Sequence, residues 1–255
     1  MRTSTLLLDI EGTTTPISFV YQVLFPYARA HVEQFLGQHA HDPEIQSALE
    51  VLKSENLAET SGEAPPVLDP TKPDYLRSAA AYCLWLMSLD RKSTPLKTIQ
   101  GRIWQEGFLC GDLRGEVFAD VPPAFQRWHG ENRKIAIYSS GSVLAQQLLF
   151  GYSRCGNLAS YISFFFDTQT GPKRAVSSYL RIQEQMQCRA DETLFVSDVL
   201  EEIEAARQAG FHTALSVRPG NPAIDTSGLP CQVIRSFDEL MVDRSSALIA
   251  SNHFS

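Results

Sequence analysis

The sequence predicts an α/β fold: a doubly wound parallel sheet with a Rossmann-like core and one all-helical insertion. Three observations carry that prediction. Leu6-Leu7-Leu8 is a short apolar run that stops at the polar turn Asp9-Ile10-Glu11-Gly12-Thr13-Thr14-Thr15, as a buried strand does. From Phe118 onward, apolar strand-like runs alternate with helical stretches, the pattern of βαβ units and a parallel sheet. Between these lies helix pattern after helix pattern with no strand. The expected domains are residues 1–19 with 117–255 as the α/β core and residues 20–116 as the helical insertion.

In chain order, Val20, Val23, Leu24, Tyr27, Ala28 and Val32 recur at three- and four-residue spacing, the stripe of an amphipathic helix. Pro26 is expected to kink or restart it. Residues 43–54 read as a second helix, and residues 55–73 as a loop carrying Gly62, Pro65, Pro66, Pro70 and Pro73. Residues 74–89 are apolar almost all round and read as a buried helix, broken by Asp90-Arg91-Lys92-Ser93-Thr94-Pro95. A helix over residues 96–106 is expected to stop at Gly107. Pro122 and Pro123 then open a helix to Gly130, placed in the first turn where a missing N–H costs nothing. Strands at 135–138, 162–166, 193–196 and 213–217 alternate with helices at 143–150, 174–186 and 201–209.

The chain is 255 residues long, 44% apolar and of net charge −7, a globular composition that argues against nucleic acid or an anionic membrane held by general electrostatics. Five scattered cysteines without a CxxC pair fit a reducing compartment. The longest apolar run, residues 79–87, falls short of the roughly 20 residues of a membrane span, and no signal-peptide core is visible. The expectation is a soluble, cytoplasmic monomer with neither a nucleic-acid nor a membrane partner. P-loop and dinucleotide chemistry lack GxxxxGK[ST] and GxGxxG. His39 and His41 fall in a polar connection and read as solvated.

In open parallel sheets, ligands bind where the carboxyl ends of the strands meet loops at the topological switch point. Asp9 and Glu11 end the first strand; spaced by two, they are expected on one side of it, where they repel unless a cation such as Mg²⁺ lies between. The next strand ends in Ser139-Ser140-Gly141-Ser142, small hydroxyls suited to phosphate oxygens beside a helix N-terminus. A later loop offers the point charge of Lys173, and another strand ends in Ser197-Asp198, a further hard oxygen ligand. Each has a plain alternative: Ser142 as a helix cap, Lys173 as a solvated lysine, Asp198 with Glu201 as first-turn helix acids.

Asp9-Ile10-Glu11-Gly12-Thr13-Thr14, with Ser139, Lys173 and Asp198 following in order, resembles the four motifs of the haloacid dehalogenase superfamily of phosphatases. Glu in place of the usual second Asp resembles one branch, the enolase-phosphatases of methionine salvage. So do Asp90 through Thr94, Gln100 through Trp104, Asp120 through Pro123, Gln147 through Ser153 and Val217 through Gly220. The resemblance implies that Asp9 is the nucleophile forming an aspartyl-phosphate and Glu11 the proton shuttle. It implies phosphoryl binding by Ser139, Ser140 and Lys173, and Mg²⁺ held by Asp9, Asp198 and Glu11, the last at least through its backbone. The helical insertion would be a cap domain. The implied reaction enolises 2,3-diketo-5-methylthiopentyl-1-phosphate and hydrolyses the phosphoenol to an acireductone. Glu11, Arg91 and Lys92 stay open as the base for the carbon proton, and Glu201 and Glu202 are left without a role. A single-step phosphatase of the same core, a metal-independent dehalogenase and a non-catalytic phosphometabolite-binding protein remain competing readings.

Overall fold

The computed structural model describes residues 3–91 and 93–240, so Lys92 and the tail after Leu240 lie outside the described residues. Two compact units separate: Ser18–Arg114, and the residues flanking it on either side.

In the flanking unit, β1 (Thr5–Leu8) buries Leu6, Leu7 and Leu8 completely. Because successive side chains face opposite ways, both faces of this strand are covered, as in a central strand of a parallel sheet. β2 (Lys134–Tyr138), β3 (Phe164–Phe166), β4 (Thr193–Ser197), β5 (His212–Ser216) and β6 (Gln232–Ile234) complete a six-stranded sheet of order β3-β2-β1-β4-β5-β6. Every pairing is parallel. The chain winds outward from β1 in one direction and resumes at β4 in the other, so the crevice falls at the carboxyl ends of β1 and β4.

Among the described residues four α-helices flank this sheet: α6 (Val121–Gly130), α7 (Val143–Gly151), α8 (Val176–Met186) and α9 (Leu200–Gln208). One core gathers Leu7, Ala136, Tyr138, Phe195 and Leu215 of the sheet with Tyr179 and Ile182 of α8 and Ile203 and Ala206 of α9. Residues of the other strand parity, Leu6, Leu8, Ile135 and Ile137, are equally buried, and α6 and α7 bring Phe125, Trp128 and Phe150 into contact. Each such side chain contributes roughly 1.5–3 kcal/mol of transfer free energy. β6 has no counterpart in the sequence reading: three residues between Pro230-Cys231 and Arg235 are too few to display a period.

The second unit is helical. α1 (Ile17–Phe19) runs into a π-helical turn (Val20–Leu24) and then α2 (Phe25–His39), with Pro26 in its first turn. Phe25 N–H reaches back to Val20 C=O, and this widened turn lets the chain absorb the donor that Pro26 lacks. α3 (Pro43–Leu57) outruns the expected Ser54 end, and α4 (Tyr75–Ser88) is not buried all round: Leu84 is 37% exposed. α5 (Thr94–Cys110) passes through Gly107 instead of ending there. Gly107 is a packing position, where a Cβ would lie 2.7 Å from the Tyr27 ring; the true stop is Gly111, left-handed at φ +91°. His39 is not merely solvated: its ring nitrogens lie 2.9 Å from Asp42 Oδ2 and 2.8 Å from Glu106 Oε1, and the ring stacks on Phe35. Among the described residues no helix is long and apolar enough to cross a membrane.

Candidate active site

The site lies within the α/β unit, at the ends of β1, β2 and β4. The strand ladder continues one residue past Leu8, with Asp9 N–H donating to Val196 C=O at 2.9 Å. The chain then curls: the N–H groups of Thr13, Thr14 and Thr15 all converge on Ile10 C=O, and Thr14 Oγ1 donates to Asp9 C=O at 3.1 Å. The spacing argument for Asp9 and Glu11 therefore fails in its premise. Glu11 lies beyond β1, and the turn, closed by Gly12 N–H on Thr15 C=O, brings it alongside Asp9.

Lys173 completes the centre. Its Nζ donates to Asp9 Oδ1 at 2.6 Å and pairs with Glu202 Oε2 at 2.8 Å, the side chain only 9% exposed. Asp9 Oδ1 also accepts from Ile10 N–H at 2.8 Å. Burial alone would push the Lys173 ammonium down; the carboxylates of Asp9, Glu202 and Glu11 reverse this, and it titrates above its usual range. The solvated reading of Lys173 is thereby set aside.

Ser139 is buried, with Oγ 3.4 Å from Glu11 Oε2 and accepting from Gly141 N–H at 3.1 Å. Ser140 follows it, half-buried. Ser142 takes its plain reading and caps α7 by accepting from Ala145 N–H. Asp198 packs over the Glu11 turn, so closely that a Cβ on Gly12 would fall 2.3 Å from its Oδ2. Burial first and the Asp9 charge second push the Asp198 carboxyl up to about 7. The same two causes, in the same order, raise Glu11 and Glu202.

Glu202, Ser216, Asn221 and Arg218 have no role in the sequence reading. Glu202 is buried and shares Lys173 with Asp9, while Ser197 Oγ lies 2.9 Å from Glu202 Oε2 and 3.3 Å from Asp9 Oδ2. An acid four residues after Asp198 reads as a helix first-turn acid, and only the folded turn of α9 aims it inward; its neighbour Glu201 is exposed. Asn221 Nδ2 and Ser216 Oγ donate to Gly12 C=O at 2.9 and 3.1 Å. Arg218 Nε donates to Thr13 C=O at 3.2 Å, its guanidinium paired with Asp120 at 2.8 Å and set 4.7 Å from the ring centres of Phe118 and Phe237.

Asp9, Glu11, Asp198 and Glu202 thus face one ammonium. Among the described residues no three His, Cys, Asp or Glu side chains are grouped to hold a metal by themselves. The donors at hand are oxygens, the carboxylates of Asp9 and Asp198, a set that suits a hard cation keeping water or substrate phosphate in its shell.

A parallel sheet with an acid–lysine pair at its switch point is the frame of one hydrolase class, and the family model described as haloacid dehalogenase-like hydrolase matches residues 3–210. Within that class the similarity is narrower. The chain is 51% identical over 237 residues to the enolase-phosphatase E1 of Synechococcus elongatus, covering 93% of this chain and 97% of that one. Against the enolase-phosphatase E1 of Salmo salar it is 42% identical, covering 86% and 87%. The crystal structure of UTR4 protein from Saccharomyces cerevisiae superposes with a TM-score of 0.75 at 35% identity, covering 93% of this chain and all of that one. The chain belongs to the enolase-phosphatase E1 family of haloacid dehalogenase-like hydrolases.

Proposed function

We propose that the protein enolises 2,3-diketo-5-methylthiopentyl-1-phosphate and then removes its phosphate, releasing the acireductone of methionine salvage. The substrate rests on the near full-length similarity to curated enolase-phosphatases. The observation that carries the phosphatase chemistry is the 2.6 Å contact between Asp9 and Lys173 at the sheet's switch point.

Phosphoryl transfer asks a protein chiefly for positioning and charge stabilisation. Asp9 attacks phosphorus in line, the P–O bond to the enol oxygen breaks, and Glu11 protonates the departing oxygen. Glu11 then takes a proton from water as that water attacks the aspartyl-phosphate, freeing phosphate and Asp9. A carboxyl raised by burial and a neighbouring charge holds its proton more readily than a free one, which favours its part as the acid. Lys173, with Ser139 and Ser140, binds the phosphoryl oxygens. Mg²⁺, as in this hydrolase class generally, would be held by Asp9, Asp198 and the Glu11 backbone. When bound it supplies positive charge to the phosphoryl group and to an enolate oxygen.

For the carbon proton, Glu11 is the candidate we retain. Arg91 is engaged elsewhere: it pairs with Glu59, and its guanidinium sits 5.5 Å from the centre of the Trp85 ring. Lys92 lies outside the described residues. We assign the helical unit the role of cap domain, and the chain a cytoplasmic location and a monomeric state.

The test follows enol absorbance and phosphate release together, with the diketone phosphate and Mg²⁺, for the wild type and Asp9→Asn. The reading expects an enol signal from both proteins and phosphate from the wild type alone. Phosphate released equally by Asp9→Asn would remove Asp9 as nucleophile. No enol signal alongside hydrolysis of a generic phosphoester would remove the substrate.

A further inference from the structure

The loop that delivers Lys173 belongs to no strand or helix, so no ladder orders its carbonyls, and among the described residues the one backbone N–H on the four below is that of Ala175, on Pro172 C=O at 3.0 Å. Four consecutive carbonyls nevertheless each receive a different side chain. Arg181 Nη1 donates to Thr170 C=O, Tyr138 Oη to Gly171 C=O and Ser178 Oγ to Pro172 C=O, all at 2.8 Å. Tyr179 Oη donates to the carbonyl of Lys173 itself at 2.6 Å. Both tyrosines are fully buried, their rings edge to face at 5.7 Å, and Tyr179 also packs on Phe195 at 5.1 Å. Neither hydroxyl touches the reacting groups, and the proposed chemistry uses neither.

A lysine has a long flexible stem, so placing its ammonium on two carboxylates from other elements requires a fixed backbone end. We propose that Tyr179 is a positioning residue for Lys173: its hydroxyl fixes the Lys173 carbonyl so that the ammonium reaches Asp9 and Glu202 together. Tyr138 serves the same loop two residues earlier and ties it to β2, the strand that Ser139 directly follows. A hydroxyl that merely satisfied a buried carbonyl would affect stability without moving Lys173 in particular.

The inference rests on Lys173 acting in phosphoryl transfer, and its test reads placement separately from turnover. Tyr179→Phe keeps the ring and loses only the hydroxyl. Reductive methylation with formaldehyde, followed by peptide mass spectrometry, reads the accessibility of each lysine. We expect Lys173 to be labelled several-fold faster in Tyr179→Phe while Lys53 and Lys134 are unchanged. With it, kcat should fall by about tenfold and KM by no more than about twofold either way. Unchanged Lys173 labelling overturns the proposal whatever happens to kcat. If labelling rises at every lysine the variant is unfolded, and Tyr138→Phe then decides by the same measure. A wild type that releases no phosphate would sink the phosphatase reading and leave the labelling result standing.

Discussion

Gly12→Ala is the most informative single substitution outside the charged groups. Gly12 adopts φ +69°, a left-handed conformation costing an ordinary residue roughly 1–2 kcal/mol. The larger effect is local. The new Cβ would sit 2.3 Å from Asp198 Oδ2 and 2.9 Å from Asn221 Nδ2, where contacts under 3.0 Å are not tolerated. Neither atom is the tip of a long side chain, so Asp198 must retreat by most of an ångström or the Glu11 turn must open. A misplacement of that size costs on the order of 100-fold in turnover, and the metal ligand proposed at Asp198 is what moves. The assay is steady-state phosphate release across a Mg²⁺ series, with thermal unfolding by circular dichroism alongside. We expect kcat down about 100-fold and the Mg²⁺ dependence shifted to higher concentration, in a protein that still melts cooperatively. Turnover within about threefold of wild type, at an unchanged Mg²⁺ requirement, would refute the close packing of Asp198 on the turn.

Two further predictions concern charge. The Asp198 carboxyl is pushed up to about 7 in the folded protein, against an ordinary value near 4, so the stability linked to its proton is present below about pH 4 and lost as the pH rises through 7. A cation must displace that proton, so Mg²⁺ affinity should weaken by about tenfold from pH 8 to pH 6 in isothermal titration calorimetry; a flat profile contradicts the assignment of Asp198 as a ligand. Lys173→Met leaves Asp9, Glu11 and Glu202 without their ammonium and should cost about 3–5 kcal/mol in urea unfolding at pH 7.5. Because Glu11 and Glu202 titrate above their usual range, they take up protons first on acidification, and the deficit should narrow at pH 5. A deficit that stays constant would mean that the lysine's stem, not its charge, supplies the stability.

The fold was legible because its signals are local. A leucine run ending in acids, prolines in helix first turns and β-strands alternating with helices each declare themselves within about ten residues. The site was legible only where a residue ends a strand, as Asp9, Ser139 and Asp198 do, since the switch-point rule turns such positions into neighbours without further knowledge of packing. Lys173 was legible as a candidate charge in a later loop, but its role came from the resemblance, since no local pattern fixes that loop's path. Glu202 and Arg218 could not be read, because what makes them part of the site is which way a helix turn and a loop face after folding. Gly107 misled for a related reason. A glycine in a helical pattern signals a stop when it must turn left-handed, and signals nothing of the kind when its missing Cβ makes room for a ring from another helix.

Glu202 explains a balance that the four motif residues alone would not achieve. An ammonium paired solely with Asp9 would sit as a tight ion pair on the proposed nucleophile and withdraw the charge that attack on phosphorus requires. Held instead at 2.6 Å from Asp9 and 2.8 Å from Glu202, it is divided between two carboxylates of comparable distance. Asp9 is then only partly neutralised by the lysine, and its Oδ2 meets a neutral hydroxyl, Ser197 Oγ, at 3.3 Å. Division carries a cost, since three carboxylates around Asp9 titrate above their usual range and part of their charge is uncompensated. A divalent cation held by Asp9 and Asp198, as proposed above, would offset that cost. Under the proposed mechanism the second acid on the lysine and the cation are coupled requirements: sharing Lys173 would keep Asp9 reactive as the nucleophile and leave negative charge for the cation.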